Sequence, residues 1–225
     1  MTVAQLRTKS ARPSLKRPQP PEYLCTPYAS HTFVPAPDVS EWLRATFINP
    51  DSPLFNPEHA HLQGARIAVL WTSVPNARQQ RVVVGTCETL PVGGAMGKWP
   101  KARAAVQMAG WFGGWWGGAD PHFLITFDAR FMSQADDATF CAVVEHEMLH
   151  AGQEKDEFGA AKFTQAGEPK YALRGHDVET FVGLASRYGA VEANVAALHE
   201  ALKTKPSIGR ASLDWACGSC AKAAA

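Results

Sequence analysis

Three stretches of the chain have the apolar, β-branched pattern of strands. They are residues 66–72, 80–88 and 122–127. Runs of this length, bounded by Pro, Gly, Asn or Asp, are typical of strands. Only a short polar loop with Pro75 and Asn76 separates the first two stretches. The pattern therefore predicts that these two strands pair as an antiparallel hairpin.

A longer stretch has the spacing of an amphipathic helix. Ser133-x-x-Asp136 resembles a capping box at its start and Gly152 resembles a stop, which predicts a helix over about residues 134–151. One face of this helix is apolar. Its residues are Phe140, Val144, Met148 and Ala151. The adjoining face carries imidazoles and carboxylates, which are costly to bury without partners.

Further helices are predicted between and after these elements. They run from Asp38 to Phe47, over about residues 57–63, from Gly175-His176-Asp177 to Gly189, and over residues 191–203. Together with the strands they predict an α+β fold. A small mixed or antiparallel sheet would pack on the helix at 134–151 and on the further helices.

The first 37 residues differ in composition from the rest of the chain. Five basic residues precede the first acidic residue, Glu22, and four prolines lie between positions 13 and 21. Such a composition predicts a disordered or extended basic arm. Residues 38–220 are expected to form one domain, because a chain of 225 residues with 46% hydrophobic content can bury a single core. Residues 221–225 are expected to be a tail.

Charge and cysteine content narrow the range of functions. The 22 basic and 21 acidic residues give a formal net charge of +1. A net charge this small argues against nucleic acid as a partner and gives no electrostatic attraction to a membrane surface. No apolar run is long enough to span a bilayer and no secretory signal follows Met1, so we expect the protein to be made and kept in a cytoplasm. Five unevenly spaced cysteines do not form a disulfide framework and fit a reducing compartment.

The segment His146-Glu147-x-x-His150 carries the main chemical signal. Positions four apart lie one turn apart on a helix, so His146 and His150 leave the same face. Two such imidazoles can bind one Zn²⁺ ion, and the adjacent Glu147 can take a proton from a metal-bound water. A catalytic zinc ion usually has three protein ligands, so a third is needed. His176 is the preferred candidate, with Glu179 and Asp177 as alternatives, and Asp177 could instead orient an imidazole.

Several segments together resemble the family of putative phage metallopeptidases. They are residues 145–150, 174–183 and 187–189, with weaker similarity from Leu70 to Cys220. The resemblance covers roughly residues 38–220 and implies a zincin-like fold, a peptidase activity and one catalytic Zn²⁺ ion. Residues 175–181 are also similar to the H-G-x-E-F segment of SprT-like proteases, in which the histidine is the third zinc ligand. That similarity implies His176 rather than Glu179.

The remaining candidates have less specific roles. Arg174, Tyr171 or Tyr188 could stabilise the oxyanion that forms when water attacks a peptide carbonyl. Cys217 and Cys220 could form half of a second metal site or a redox pair. SprT-like proteins often add a cysteine zinc ribbon for DNA, but one C-x-x-C cannot complete such a ribbon within one chain.

Two functional hypotheses follow from these residues. In the first, the protein is a zinc-dependent peptidase of a phage or prophage that acts on a peptide or protein substrate in the host or on the virion. In the second, it is a non-catalytic, zinc-stabilised protein that binds a phage or host protein or a virion component. Glu147 separates the two, because a purely structural zinc site has no need of a carboxylate at that position.

Overall fold

The strands and helices are described from a computed structural model. The structure describes residues 16–78, 81–89, 121–178, 185–187, 189, 193–206, 208, 211 and 216–217. The strands are β1 (Phe33–Pro35), β2 (Ile67–Thr72), β3 (Ala77–Arg78), β4 (Arg81–Thr89), β5 (Phe123–Asp128), β6 (Ala151–Gln153), β7 (Tyr171–Leu173) and β8 (Ala216–Cys217). The α-helices include α1 (Pro37–Leu43), α2 (Ala129–Gln134), α3 (Asp137–His150) and α4 (Ala193–Lys203). A π-helical turn, Arg44–Ile48, follows α1, and short 3₁₀ helices cover Glu22–Leu24 and Pro57–Leu62, the latter where a helix is predicted over about residues 57–63.

The main sheet is mixed. Its strand order is β1-β2-β5-β4-β3, and β8 also pairs with β4. β2 and β5 are parallel, whereas β1 pairs with β2 and β4 pairs with β5 in the antiparallel sense. β6 and β7 form a separate two-stranded sheet. The predicted α+β class with a small mixed sheet is therefore confirmed.

The predicted hairpin between the first two strands is wrong. Both strands form, but β5 lies between β2 and β4 and pairs with each of them. Every residue of β2 is buried, as are the first five of β5, which is the environment of strands with a neighbour on each side. The local hairpin is instead β3–β4, where Ala77 pairs with Val82.

Part of the expected N-terminal arm belongs to the folded domain. β1 extends the sheet beside β2, and Leu24 and Phe33 are buried in the interior. The guanidinium of Arg17 lies over the ring of Phe140, 5.0 Å from its centroid. A disordered or extended arm is therefore the wrong description for residues 16–37, because their apolar side chains complete the core. The first fifteen residues and the tail lie outside the described part.

The helix predicted at 134–151 is α3, which begins at Asp137 and ends at His150, while Gln134 is the last residue of the separate helix α2. Asp136 is the N-cap of α3, and its Oδ1 accepts a hydrogen bond from the backbone N–H of Thr139 at 2.7 Å. Ser133 lies inside α2, and its hydroxyl donates to the carbonyl of Arg130 at 2.8 Å. The predicted capping box from Ser133 is therefore wrong, because Asp136 caps the helix alone. α1 likewise begins at Pro37, one residue before the predicted start.

The end of α3 also differs from the prediction. Gly152 does not stop the helix in a left-handed conformation; it lies in β6 and pairs with Ala172 of β7. The chain thus passes from His150 directly into a strand. This antiparallel ladder brings the segment after β7 back to the end of α3.

One face of α3 packs on the sheet and builds the core. Phe140, Val143, Val144 and Met148 are fully buried within one hydrophobic cluster. The ring of Phe140 also meets Trp42 of α1 edge-on, with centroids 5.4 Å apart. No helix within the described ranges is long and apolar enough to cross a membrane.

Candidate metal centre

Helix α3 places His146 and His150 side by side. Both lie in its last turns, one turn apart, so their rings leave the helix on the same side. Their Nε2 atoms are 3.3 Å apart, and their ring centroids are 5.0 Å apart. The opposite side of the helix is packed against the core, so the backbone that carries the two rings is held in place.

His176 reaches the same point from another element. It lies three residues after β7, and the ladder between β6 and β7 fixes the start of that segment beside His150. The Nε2 atom of His176 is 3.2 Å from the Nε2 atom of His146. The predicted helix start at residues 175–177 is wrong, since residues 174–178 are not helical. Gly189, expected to end that helix, has a φ of 79° and donates to the carbonyl of Ala185.

The three imidazoles fit one metal ion. Their candidate ligand nitrogens all lie within 4.8 Å of one another. In a tetrahedral zinc site with Zn–N bonds of about 2.0–2.1 Å, two ligand nitrogens are about 3.3–3.4 Å apart. The Nε2 separations of 3.2 and 3.3 Å agree with that geometry. The rings open on a small cavity lined by His146, Leu149, His150 and residues 174–177.

Neighbouring groups keep two of these rings suited to bind a cation. The Nδ1–H of His150 donates to the backbone carbonyl of Arg174 at 2.7 Å, which leaves its Nε2 lone pair facing the cluster. Burial, together with the nearby His150 and His176, lowers the pKa of His146 to about 4. His146 is therefore neutral at pH 7, the form that binds a metal.

Glu147 lies on α3 one residue after His146 and three before His150, and its side chain packs against the sheet. Its side chain is fully buried, and it does not line the cavity described above. A Cβ atom built on Gly85 of β4 would lie 2.6 Å from its Oε1 and 2.8–2.9 Å from its Cγ and Cδ. The carboxylate is thus pressed against the backbone of β4, beside the first metal ligand in sequence.

Arg174 and Asp177 pair with each other. The guanidinium of Arg174 donates to both carboxylate oxygens of Asp177, at 2.6 and 2.8 Å, and to Glu58 at 3.2 Å. This engagement disfavours Arg174 as an oxyanion donor and Asp177 as an imidazole partner. The backbone carbonyl of Arg174, rather than its side chain, contacts a histidine of the cluster.

The other predicted site residues do not line the cavity at the three histidines or lie outside the described residues. The ring of Tyr171 packs on His122 and Phe123, with centroid distances of 4.5 and 5.4 Å. The backbone of Cys217 pairs with Gly85 in β4. Three candidates lie outside the described part of the chain: Glu179, Tyr188 and Cys220.

Sequence reasoning missed several neighbours of the site. Asn56 donates to Oε1 of Glu145 at 3.1 Å, and the buried ring of His59 has its Nε2 3.6 Å from the same atom. The Nε2 of His61 lies 2.8 Å from the carbonyl of Ala151, just after the second ligand. These contacts join different elements, so spacing along the chain could not predict them. Gly85 did carry a signal, since a glycine inside a strand often marks a close approach.

Comparison with known proteins gives one match. The model of a family described as "putative phage metallopeptidase" matches residues 40–203. No curated protein and no solved structure matches the chain. The matched range includes α3 and all three histidines, and the family's description implies a metal ion and a peptide or protein substrate. The three-histidine cluster and the family match together show that this chain belongs to the putative phage metallopeptidase family.

Proposed function

We propose that the protein is a zinc-dependent peptidase in which His146, His150 and His176 bind the ion and Glu147 is the general base. The convergence of three imidazole nitrogens, 3.2 and 3.3 Å apart, carries this proposal. The family match supports the peptidase class. The mixed sheet beside an H-E-x-x-H helix supports a zincin-like fold.

The chain's own residues have distinct tasks in this proposal. A bound Zn²⁺ ion would lower the pKa of a coordinated water to about 7 and polarise the peptide carbonyl. Glu147 takes the proton from the attacking water and then delivers it to the leaving amine. The carbonyl of Arg174 keeps the ring of His150 in the orientation that presents Nε2. The ion pair between Arg174 and Asp177 links the two sides of the short segment that carries His176 and so restrains its conformation.

The substrate is a peptide or protein of the phage or its host. We propose that the enzyme acts in the host cytoplasm or on a virion component. Two elements outside the main sheet lie at the cluster, namely the segment after β7 and the 3₁₀ helix Pro57–Leu62, whose Glu58 pairs with Arg174 of that segment. A bound peptide would meet these elements first.

The variant Glu147→Gln tests the catalytic assignment. We expect it to keep one zinc ion per chain and to cleave peptides about 10²–10⁴-fold more slowly than the parent, because the amide cannot accept the proton. The measurements are metal content and a proteolysis screen with a mixed peptide library. Glu157→Gln, which changes an exposed carboxylate in the loop after β6, is the matched control.

Two results would contradict the proposal in different ways. If Glu147→Gln cleaved as fast as the parent, Glu147 would not be the base. If the parent bound zinc and was stabilised by it but cleaved nothing, the chain would be a zinc-stabilised binding protein. Its partner would then be a phage or host protein.

A further inference from the structure

Gly85 lies in the interior of β4 with a strand on each side. Its backbone pairs with Phe127 of β5 and with Cys217 of β8, next to an irregularity in the β4–β8 register. Its φ is outside the left-handed region. An ordinary residue could adopt this backbone, and a β-branched residue would favour the strand. Backbone conformation therefore does not explain why the position is glycine.

Space does explain it. A methyl group at this position would overlap Cγ and Cδ of Glu147, at 2.8 and 2.9 Å, as well as Oε1 at 2.6 Å. The overlap involves the middle of the side chain, so rotation of the carboxylate alone cannot relieve it. Glu147 is fully buried, so its side chain cannot swing into solvent. The strand cannot retreat easily either, because it is paired on both sides.

We propose that Gly85 is a positioning residue for the general base. The missing side chain leaves a recess in β4, and this recess fixes where the Glu147 carboxylate lies relative to the metal ligands on α3. The catalytic part of this inference rests on the proposed function, whereas the contact itself does not. An added methyl group at position 85 would displace the base and leave the three histidines in place.

A stability cycle on the zinc-loaded protein tests the contact without any need for activity. Gly85→Ala should lower the melting temperature of the parent by about 4–8 °C, as overpacking does. In the Glu147→Ala background the recess is free, so the same change should cost less than about 2 °C. Gly64→Ala is the matched control, because its new Cβ would find only the Tyr171 hydroxyl oxygen, at 4.0 Å.

Each outcome of this cycle decides the question. A parent that fails to fold with Gly85→Ala, while the double variant with Glu147→Ala folds, would support the contact as strongly as the temperature shifts. An equal loss in both backgrounds, or failure of both to fold, would overturn it. The Gly64→Ala control should shift both backgrounds equally and only slightly.

Kinetics test the catalytic consequence. Gly85→Ala should lower kcat by about 10²-fold, because a base displaced by about 1 Å loses its alignment, with KM and zinc content unchanged. Adding Gly85→Ala to Glu147→Gln should cause no further loss, since the two changes remove the same function. A kcat equal to that of the parent would overturn the positioning role. An inactive parent would refute the proposed function instead, and the stability cycle would still decide the contact.

Discussion

At the scale of single residues, the centre depends most on His176. His146 and His150 are one helical turn apart, so any stable helix over this stretch brings them together. His176 has no such guarantee, because it follows β7 in a segment without helical structure. Its position comes from the β6–β7 ladder and from the pairing of Arg174 with Asp177. The third ligand is thus the one that tertiary structure must supply.

Replacing His176 with Ala should weaken metal binding more than any other single change outside α3. Only two nitrogens would remain, and we expect the apparent zinc affinity to fall by about 10²-fold or more. Metal content after dialysis against a competing chelator measures this. His199→Ala, at an exposed histidine of α4, should leave the affinity unchanged. Full zinc content in the His176 variant would move the third ligand to Asp177 or Glu179.

The structure brings together the three histidines that the sequence singles out, and the reason is local. The H-E-x-x-H spacing and the following Gly-His-Asp are short patterns, and their chemistry limits what they can bind. Gly85 shows where such reasoning ends. Its partner, Glu147, comes from another element, so the need for a glycine becomes evident only when the two are packed together.

At the scale of elements, strands and helices were easier to predict than their partners. β2, β4 and β5 were expected near their observed bounds because their apolar runs are continuous. Their order in the sheet was not expected, because only the two-residue strand β3 separates β2 from β4 in sequence, whereas β5 lies between them in the sheet. The predicted start of α3 is a few residues too early for a different reason. Asp136 caps a helix alone, so the pattern that began at Ser133 was extended too far.

The start of α3 gives a prediction about pH. The hydrogen bond from the Thr139 backbone N–H, with a smaller contribution from Arg17, holds the pKa of Asp136 below its usual value. A lowered carboxyl pKa adds stability that is present above the unfolded-state pKa of about 3.9 and is lost as pH falls through the folded value. Asp136→Asn keeps the cap without the charge.

We therefore expect this variant to melt about 1–3 °C below the parent at pH 7. The difference should stay constant down to about pH 4 and shrink only below about pH 3.9, because the folded parent loses its charge as the pH falls through the lowered pKa of Asp136. Thermal melts at a series of pH values measure this difference. A gap that stays constant or widens below about pH 3.9 would contradict the role of the ionised cap.

At the scale of the whole molecule, the metal would join two parts of the chain that the sheet does not join. α3 is fixed by the core, whereas residues 174–177 are held by the short β6–β7 ladder and by ion pairs at the surface. Three nitrogens from both parts meet at one point. A bound ion would therefore stabilise the segment after β7 more than any other region near the site.

Removal of the metal should make this visible. A ligand at about 100 times its Kd stabilises the folded state by about 2.7 kcal/mol, so a chelator should lower the melting temperature by about 5–10 °C. Hydrogen exchange should rise mainly in residues 171–178. Glu147→Gln should respond as the parent does, since it keeps the ligands. Identical melting curves with and without chelator would show that the three histidines bind no ion.

The hairpin between the second and third histidines has one more consequence. Gln153 pairs with Tyr171 at the end of the β6–β7 ladder. The two ends of the loop formed by residues 154–170 are therefore held next to each other. This loop has its own hydrogen bonds and exposes Phe158 and Phe163. The loop can therefore change in length or sequence without moving any of the three histidines. Evolution can thus alter the recognition of a substrate separately from the metal centre.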